Sequence, residues 1–336
     1  MIKLLFKKRK MIRLESNKYL NKSNNHFEKI DTYSIYHIAN YQQILRQNIF
    51  AHREKLDTNY KIINVAKSDE ITSINIQYLS DIHLEFYDLI HTNNLIDNIN
   101  VNSSILCLCG DIGYPCDNKY TYFIEQMSIK FEHVFLIAGN HEYYQTFPNC
   151  KTISEINEKI KEICLSFKNV YPLNNDIKLI TINDKPVLFM GTTLWSQISK
   201  YECTNVKRNM NDYYKIYTGS KEMLTIEYVN NMNSINIAFI NNAIVENKDL
   251  PIIVLTHHLP SFSLINEKYI NCGINSAFAN NCDYMINKPV VLWLYGHTHL
   301  ANYQQINDIY CCVNPGGYPG EIDTEFNPNK FITINI

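Results

Sequence analysis

Five short apolar runs in this chain each end in a cluster of side chains suited to binding metals. Ile74 to Ser80 leads into Asp81-Ile82-His83, and Ser104 to Cys109 leads into Gly110-Asp111-Ile112-Gly113. His133 to Ala138 leads into Gly139-Asn140-His141-Glu142, and Pro251 to Thr256 into His257-His258. Val290 to Tyr295 leads into Gly296-His297-Thr298-His299. Short apolar runs bounded by glycine or polar punctuation read as buried strands. In open α/β sheets, ligands gather beyond the carboxyl ends of the strands. The pattern predicts an α/β chain in which five strand ends converge on one crevice.

The candidate ligands there are Asp81, His83, Asp111, Asn140, one of His257 or His258, His297 and His299. That is too many for one tetrahedral zinc, and it suits two ions sharing a bridging carboxylate. Such a pair sits roughly 3.5–4 Å apart and clamps the attacking and leaving oxygens of a phosphoryl displacement. Imidazole, carboxylate and amide donors without a cysteine suit Mn, Fe or Zn. Asp81 and His83 are two residues apart, so on an extended segment they could share a side and chelate one ion. His297 and His299 have the same spacing, and a loop could split them between two ions. Gly110, Gly113, Gly139 and Gly296 fit tight turns beside the ligands. Taken singly, an Asp-x-His or His-x-His is ordinarily a surface or core pair. The joint occurrence after five apolar runs is what carries the reading.

These motifs, Asp81-x-His83, Gly110-Asp111, Gly139-Asn140-His141-Glu142, a downstream histidine and Gly296-His297-x-His299, resemble those of the calcineurin-like metallophosphoesterases. The resemblance runs from about Ile74 to the C-terminus. It includes Gly191-Thr192-Thr193-Leu194-Trp195 and Asn314-Pro315-Gly316-Gly317-Tyr318, which look like segments of a small-phosphoesterase branch. It implies a four-layer α/β/β/α sandwich with two mixed sheets and a dinuclear metal site at the strand ends. Carried over residue by residue, it assigns Asp81, His83, Asp111 and His299 to one divalent ion. It assigns Asp111 again, as the bridge, with Asn140, His257 and His297 to the other. His257 is preferred because it immediately follows the strand-end Thr256; His258 is the alternative, facing substrate. His141 resembles the family's histidine beside the leaving-group oxygen, which makes it the candidate general acid. The alternative for His141 is a residue that only orients ligands.

The implied activity is hydrolysis of a phosphomonoester or phosphodiester by a hydroxide bridging two metals, on a phosphorylated small-molecule or nucleotide substrate. The Ser/Thr protein phosphatases match poorly. Their second motif continues to Val-Asp-Arg-Gly, whereas Gly110-Asp111 here leads to Ile112-Gly113-Tyr114-Pro115, and Ala138 stands where they carry an arginine. A non-catalytic scaffold on the same fold is the competing reading, as is a metal-stabilised module whose N-terminal extension recruits a partner. A formal net charge of −2 supplies no broad basic footprint for nucleic acid.

The ten cysteines lack a disulfide-scaffold spacing, and no Cys-x-x-Cys occurs, so free thiols in a reducing compartment are expected. Met1 to Leu14 is basic, but Lys7-Lys8-Arg9-Lys10 breaks its apolar stretch and leaves no secretory h-region. No run approaches the length that spans a bilayer. The expectation is a cytoplasmic protein, with a peripheral basic anchor as the alternative.

Residues 1–70 are expected to be an N-terminal extension, and 71–336 the metallophosphoesterase domain. Tyr33 to Leu56 has approximate helical spacing. Helices are also expected over Asp117–Phe131, Thr152–Phe167 and Ser234–Val245. Trp195 to Glu227 has few strand signals and is rich in Lys, Arg, Asn and Tyr. Such an insertion is often a lid or binding loop. Lys207 and Arg208 within it read either as phosphate contacts or as a solvated surface.

Overall fold

The computed structural model describes residues 72–145, 150–219, 222–321 and 324–336. The expectation for residues 1–70, including the Tyr33–Leu56 helix, lies outside the described residues. All five apolar runs form strands: β1 (Ser73–Leu79), β2 (Ile105–Cys109), β3 (His133–Ile137), β7 (Ile252–Thr256) and β8 (Val290–Leu294). The others are β4 (Val170–Pro172), β5 (Asp176–Ile182), β6 (Lys185–Thr192), β9 (Asn302–Ile306), β10 (Ile309–Val313) and β11 (Phe331–Asn335).

Two mixed sheets result, in the orders β11-β1-β2-β3-β4 and β5-β6-β7-β8-β10-β9. In the first, β1 to β4 run parallel and β11 is antiparallel to β1. In the second, β6, β7, β8 and β10 run parallel, flanked by antiparallel β5 and β9. Strand alternation explains the layers. Ile74, Ile76 and Tyr78 of β1, Ile105, Cys107 and Cys109 of β2, and Phe135 and Ile137 of β3 share one core. From the second sheet, Val187, Phe189, Ile253, Leu255, Leu292 and Leu294 join them. Phe135 stacks on Phe189 across this interface, with ring centroids 3.9 Å apart and planes 2° from parallel. The alternate residues Leu106, Leu108, Val134 and Leu136 face a second core built by helices. Because the inner strands are buried on both faces, they read in sequence as continuous apolar runs.

The helices of that outer core are α1 (Leu89–Asn98), α2 (Asn118–Lys130) and α3 (Ile153–Leu165). The sequence alone specifies α2 and α3 well. Tyr120, Phe123, Ile124 and Met127 form a buried stripe on α2, and Asp117 caps it by accepting from the Lys119 amide. On α3, Thr152 and Glu155 make a reciprocal capping box. Two short helices, α4 (Cys203–Asn209) and α5 (Asp212–Lys215), follow β6, and α6 (Ile226–Glu246) packs against β6 on the far side.

Helix α6 begins eight residues before the expected Ser234. Its inward stripe at the start is polar: Asn230 accepts from the Ile198 amide at 2.7 Å, and Asn236 from the Trp195 amide at 3.1 Å. Asn233 donates to the Trp195 carbonyl at 2.6 Å. These asparagines anchor the segment leaving β6, so apolar periodicity could not reveal the first turns. No helix among the described residues is long and apolar enough to cross a membrane.

The stack at the sheet interface gives a stability test. Phe189→Ala should lower the unfolding free energy by about 3–5 kcal/mol, the usual range for truncating a buried aromatic. Phe135→Ala should do the same, and the double variant should lose less than the sum because the rings touch. Denaturant midpoints at an unchanged slope measure this; a loss under about 1 kcal/mol in either single variant would contradict the packing.

Candidate metal centre

The carboxyl ends of β1, β2, β3, β7, β8 and β10 come together because hydrogen bonds tie the two sheets at that edge. The His257 ring donates to the Cys109 carbonyl at 2.9 Å, Thr193 Oγ1 to the Ala138 carbonyl at 2.8 Å, and the Ser80 amide to the Asn314 carbonyl at 3.1 Å. The chain turns sharply as it leaves these strands. Asp81, His83, Asp111 and His297 all have left-handed backbones, with φ of 51°, 54°, 54° and 67°. Non-glycine residues rarely adopt that region, at a cost of roughly 1–2 kcal/mol each, and such strain concentrates at functional sites. Asp81 and His83 therefore do not sit on an extended segment as the spacing suggested; two tight turns bring them to the same place. Gly139 has its own reason to be glycine: a Cβ there would collide with the Asp111 carboxylate and lie 2.6 Å from the His257 ring.

All seven expected ligands converge. Three overlapping groups have nitrogen and oxygen atoms within 4.8 Å of one another: Asp81 with His83 and His299; His83 with Asp111 and His141; Asp111 with His257 and His297. Asp111 Oδ2 lies 3.3 Å from His257 Nε2 and 3.9 Å from His83 Nε2. His83 Nε2 and His299 Nε2 face each other at 3.1 Å, and His299 Nε2 is 3.7 Å from Asp81 Oδ1. Asn140 joins through its amide oxygen, 3.0 Å from His257 Nε2. Asp81 Oδ2 and His297 Nε2 are buried and have no hydrogen-bond partner among the described residues.

His258 is different. It is buried against Trp195, at a ring distance of 5.3 Å, and belongs to none of the three groups. Burial and the neighbouring His257 charge push its pKa down to about 3. Lys207 and Arg208 sit on the exposed side of α4.

The surrounding residues fix how the rings point. His83 Nδ1 and His141 Nδ1 both donate to Glu85 Oε1, at 3.1 and 2.9 Å, and His299 Nδ1 donates to Glu321 at 2.6 Å. With Nδ1 engaged, each of these rings turns Nε2 inward. The Asn140 amide nitrogen donates to Asp212 at 2.8 Å and to Tyr144 Oη at 3.2 Å, which directs its oxygen towards His257. Tyr144 Oη also donates to Asp212 at 2.6 Å. Buried Glu142 accepts from the backbone amides of Asp111, Ile112 and Gly139 at 2.7–2.9 Å, binding the second and third strand-end loops together.

Sequence reasoning missed the roles of Glu85, Asp212, Tyr144 and Glu321. Glu85, two residues beyond His83, carried the faint local signal of Asp-x-His-x-Glu. Asp212 lies in the long insertion, and only the folded chain brings it to Asn140.

The electrostatics favour added positive charge. Burial pushes the Asp111 carboxyl up, yet charges on His257 and His141 outweigh it and hold it well below the usual carboxylate range. His257 shows the converse: burial pulls its pKa down, but the Asp111 carboxylate beside it pushes it up to about 10. Burial, reinforced by the His258 and His257 charges, keeps His297 well below its ordinary value, so its nitrogen carries a lone pair. Burial and the Asp111 charge push Glu142 up to about 8, against the pull of His257 and the backbone amides. The Asp111 carboxylate thus draws positive charge to its side, which a protonated His257 or a bound cation would supply.

A cavity of about 350 Å³ opens directly from this cluster, and Asp111, Asn140, His141, His297 and His299 form its floor. His141 Nε2 faces the Tyr318 hydroxyl across it at 3.0 Å.

A sequence profile described as calcineurin-like phosphoesterase matches residues 74–301. An uncharacterised protein of Acanthamoeba polyphaga mimivirus is 35% identical over 276 residues, covering 77% of this chain and 96% of that protein. Among solved structures, the phosphopantetheinyl hydrolase of Mycobacterium tuberculosis superposes with a TM-score of 0.57 at 14% identity. That match covers 74% of this chain and 94% of the other. A dimetal phosphatase from Danio rerio matches with a TM-score of 0.46 at 11% identity, over 77% of this chain and 91% of its own.

The adjacent histidines offer a direct check of the strand-end geometry. Metal titration of folded His257→Ala should show weakened binding of a divalent ion, since the variant removes a nitrogen beside Asp111. His258→Ala should keep the metal stoichiometry, because His258, though its ring lies 4.2 Å from that of His297, turns Nδ1 to the Thr193 carbonyl and belongs to none of the three donor groups. The opposite pattern would place the ligand register one residue later.

Proposed function

The chain belongs to the calcineurin-like phosphoesterase family, and from that premise we propose that it hydrolyses a small phosphoester at a centre holding two divalent cations. In this reading Asp81, His83, Asp111 and His299 hold one ion, and Asp111, Asn140, His257 and His297 hold the other. The residues present fit such a pair. Asp81 Oδ2 and His297 Nε2 are buried acceptors without hydrogen-bond partners among the described residues, and leaving such groups unsatisfied costs about 1–3 kcal/mol each unless something binds them. The donors are imidazole, carboxylate and amide with no thiolate, a set suited to Mn, Fe or Zn. When bound, two such ions supply Lewis acidity to the phosphoryl oxygens and lower the pKa of water.

The observation that carries this reading is the overlap of the three donor groups, with Asp111 common to two of them. One carboxylate reaching two clusters is what a shared bridge requires. The protein's other residues have separable tasks. Asp212 and Tyr144 hold the Asn140 amide so that its oxygen faces inward. Glu85 anchors His141 through Nδ1, which leaves Nε2 turned to the Tyr318 hydroxyl at the cavity wall. From there His141 can pass a proton to the oxygen of a departing alcohol. Its neighbours His83 and Asp111 could also draw it into the metal set, and the two roles make different predictions.

Metal-stripped protein should be inactive on an aryl phosphomonoester and diester, and addition of Mn, Fe or Zn singly should restore turnover of at least one. Two bound ions without turnover of either ester would instead favour a binding or scaffold role.

His141→Ala should retain both ions while turnover falls by roughly 10²–10⁴-fold on poor leaving groups. Activated aryl esters, whose leaving groups need little protonation, should suffer much less. Turnover across esters of graded leaving-group pKa measures this. An equal loss on every ester would mean His141 positions the phosphate, and loss of metal would make it a ligand.

A further inference from the structure

The cavity above the metal cluster has walls that do not come from the family motifs. One wall is Asn209, Met210 and Asn211, from the insertion after β6; the other comes from residues 259–278, the excursion after β7. The two segments are joined. The Ser199 amide donates to Ser276 Oγ at 3.0 Å, and the Ser276 amide to Glu202 at 2.8 Å. Phe278 then packs its ring 4.6 Å from that of His297, so the cap is seated on the metal cluster itself. It is a built chamber continuous with the reacting centre, of a size typical of small-molecule sites.

The chemistry of its lining is one-sided. Its apolar surface comes from Met210, Leu259, Ile265, Ile274 and Phe278. The polar groups its cap offers are uncharged amides, a phenol and a thiol, on Asn209, Asn211, Asn266, Asn275, Tyr269 and Cys272. No lysine or arginine is among the described lining residues. Lys215 lies over the Tyr144 ring at 5.2 Å and Lys268 over the Tyr269 ring at 5.0 Å, on the chamber's outer rim; both are exposed and neither is among the described lining residues. The charged side chains that do line it belong to the floor or rim: Asp111, the histidines, and Glu321 bound to His299.

Resting on the phosphoesterase reading above, we infer that this chamber holds the alcohol part of the substrate and that this alcohol is uncharged. The phosphoryl group finds its compensating charge on the floor. A second phosphate or a carboxylate on the alcohol, carried to the inner wall, would meet Leu259, Ile265 and Phe278, with no lysine or arginine among the described lining residues to offset its lost hydration. An alcohol with an apolar body and amide or hydroxyl groups is matched on both counts. Apolar contact is supplied by the inner wall, and hydrogen bonds by the asparagines. The selected substrate class is therefore a phosphoester with a single phosphoryl charge centre on a neutral, partly apolar alcohol. Polyphosphates and acidic sugar or acid phosphates are disfavoured.

Two esters with the same reacting atoms and different tails test this: N-acetyl-6-aminohexyl phosphate and 6-phosphohexanoate. Their hydrolysis by the metal-loaded protein is compared, together with binding of the two matching phosphonates, which cannot turn over. The amide tail should be favoured at least about tenfold in kcat/KM and in phosphonate Kd, reflecting the unpaired carboxylate. Asn209→Lys, an exposed substitution on the chamber wall, should improve the carboxylate tail about threefold or more, as one partly exposed ion pair would. Equal or reversed preference between the tails would overturn the inference while leaving the hydrolase reading intact. Tail discrimination in phosphonate binding without turnover of either ester would support the chamber's selectivity and overturn the hydrolase reading.

Discussion

Asp111 carries a buried carboxylate at the edge where both sheets end, and the surrounding chain is organised around that charge. It is 2% exposed, with the amide of His141 donating to Oδ1 at 2.8 Å and His257 standing 3.3 Å from Oδ2. A lone buried carboxylate would neutralise itself by taking up a proton. This one is instead held ionised by imidazoles, and its position between two donor groups invites cations from both sides. The α/β/β/α sandwich supplies the rigidity this requires. Apolar packing such as the Phe135–Phe189 stack keeps two sheets in register, so loops from both can meet within hydrogen-bonding distance. The strained turns at Asp81, His83, Asp111 and His297 are sustained by that packing.

A second layer of polar contacts converts convergence into orientation. Glu142 clamps two strand-end loops through three backbone amides, and Glu85 steers two imidazoles with a single oxygen. Asp212 reaches in from outside the sandwich to set one amide. The donor cluster is thus supported by the core, while the chamber above it is supported by insertions that meet at Ser276. Under the proposed reading, that division leaves the floor fixed while the insertions shape what binds above it, as loops on a rigid scaffold commonly do.

The sequence made the sandwich legible where burial was simplest. Strands β1, β2, β3, β7 and β8 have inner residues buried on both faces, so each was an apolar run with termini within a residue of those observed. Helices α2 and α3 had apolar stripes and strong caps, and both appeared where periodicity placed them. The start of α6 was hidden because Asn230, Asn233 and Asn236, which hydrogen-bond backbone groups, interrupt the apolar stripe to which Val229 belongs. The site's expected metal-binding side chains were legible because each stands within five residues of the end of a strand. Their left-handed turns were not, since an Asp-x-His spacing is equally compatible with extended backbone. Glu321 and Asp212 were invisible for another reason: their partners, His299 and Asn140, lie 22 and 72 residues away, and no local pattern encodes such contacts. That no lysine or arginine is among the described lining residues likewise emerges only when two separate segments are seen to enclose one space.

The account turns on Asp111 serving two cation sites at once. Metal content per chain, measured by mass spectrometry after loading and exhaustive dialysis, should be two divalent ions in the natural protein. In a folded Asp111→Asn variant the amide cannot act as an anionic bridge, and retention of both ions should fall together, to one or fewer. Two tightly held ions in that variant would contradict the shared-carboxylate centre on which the rest of the account stands.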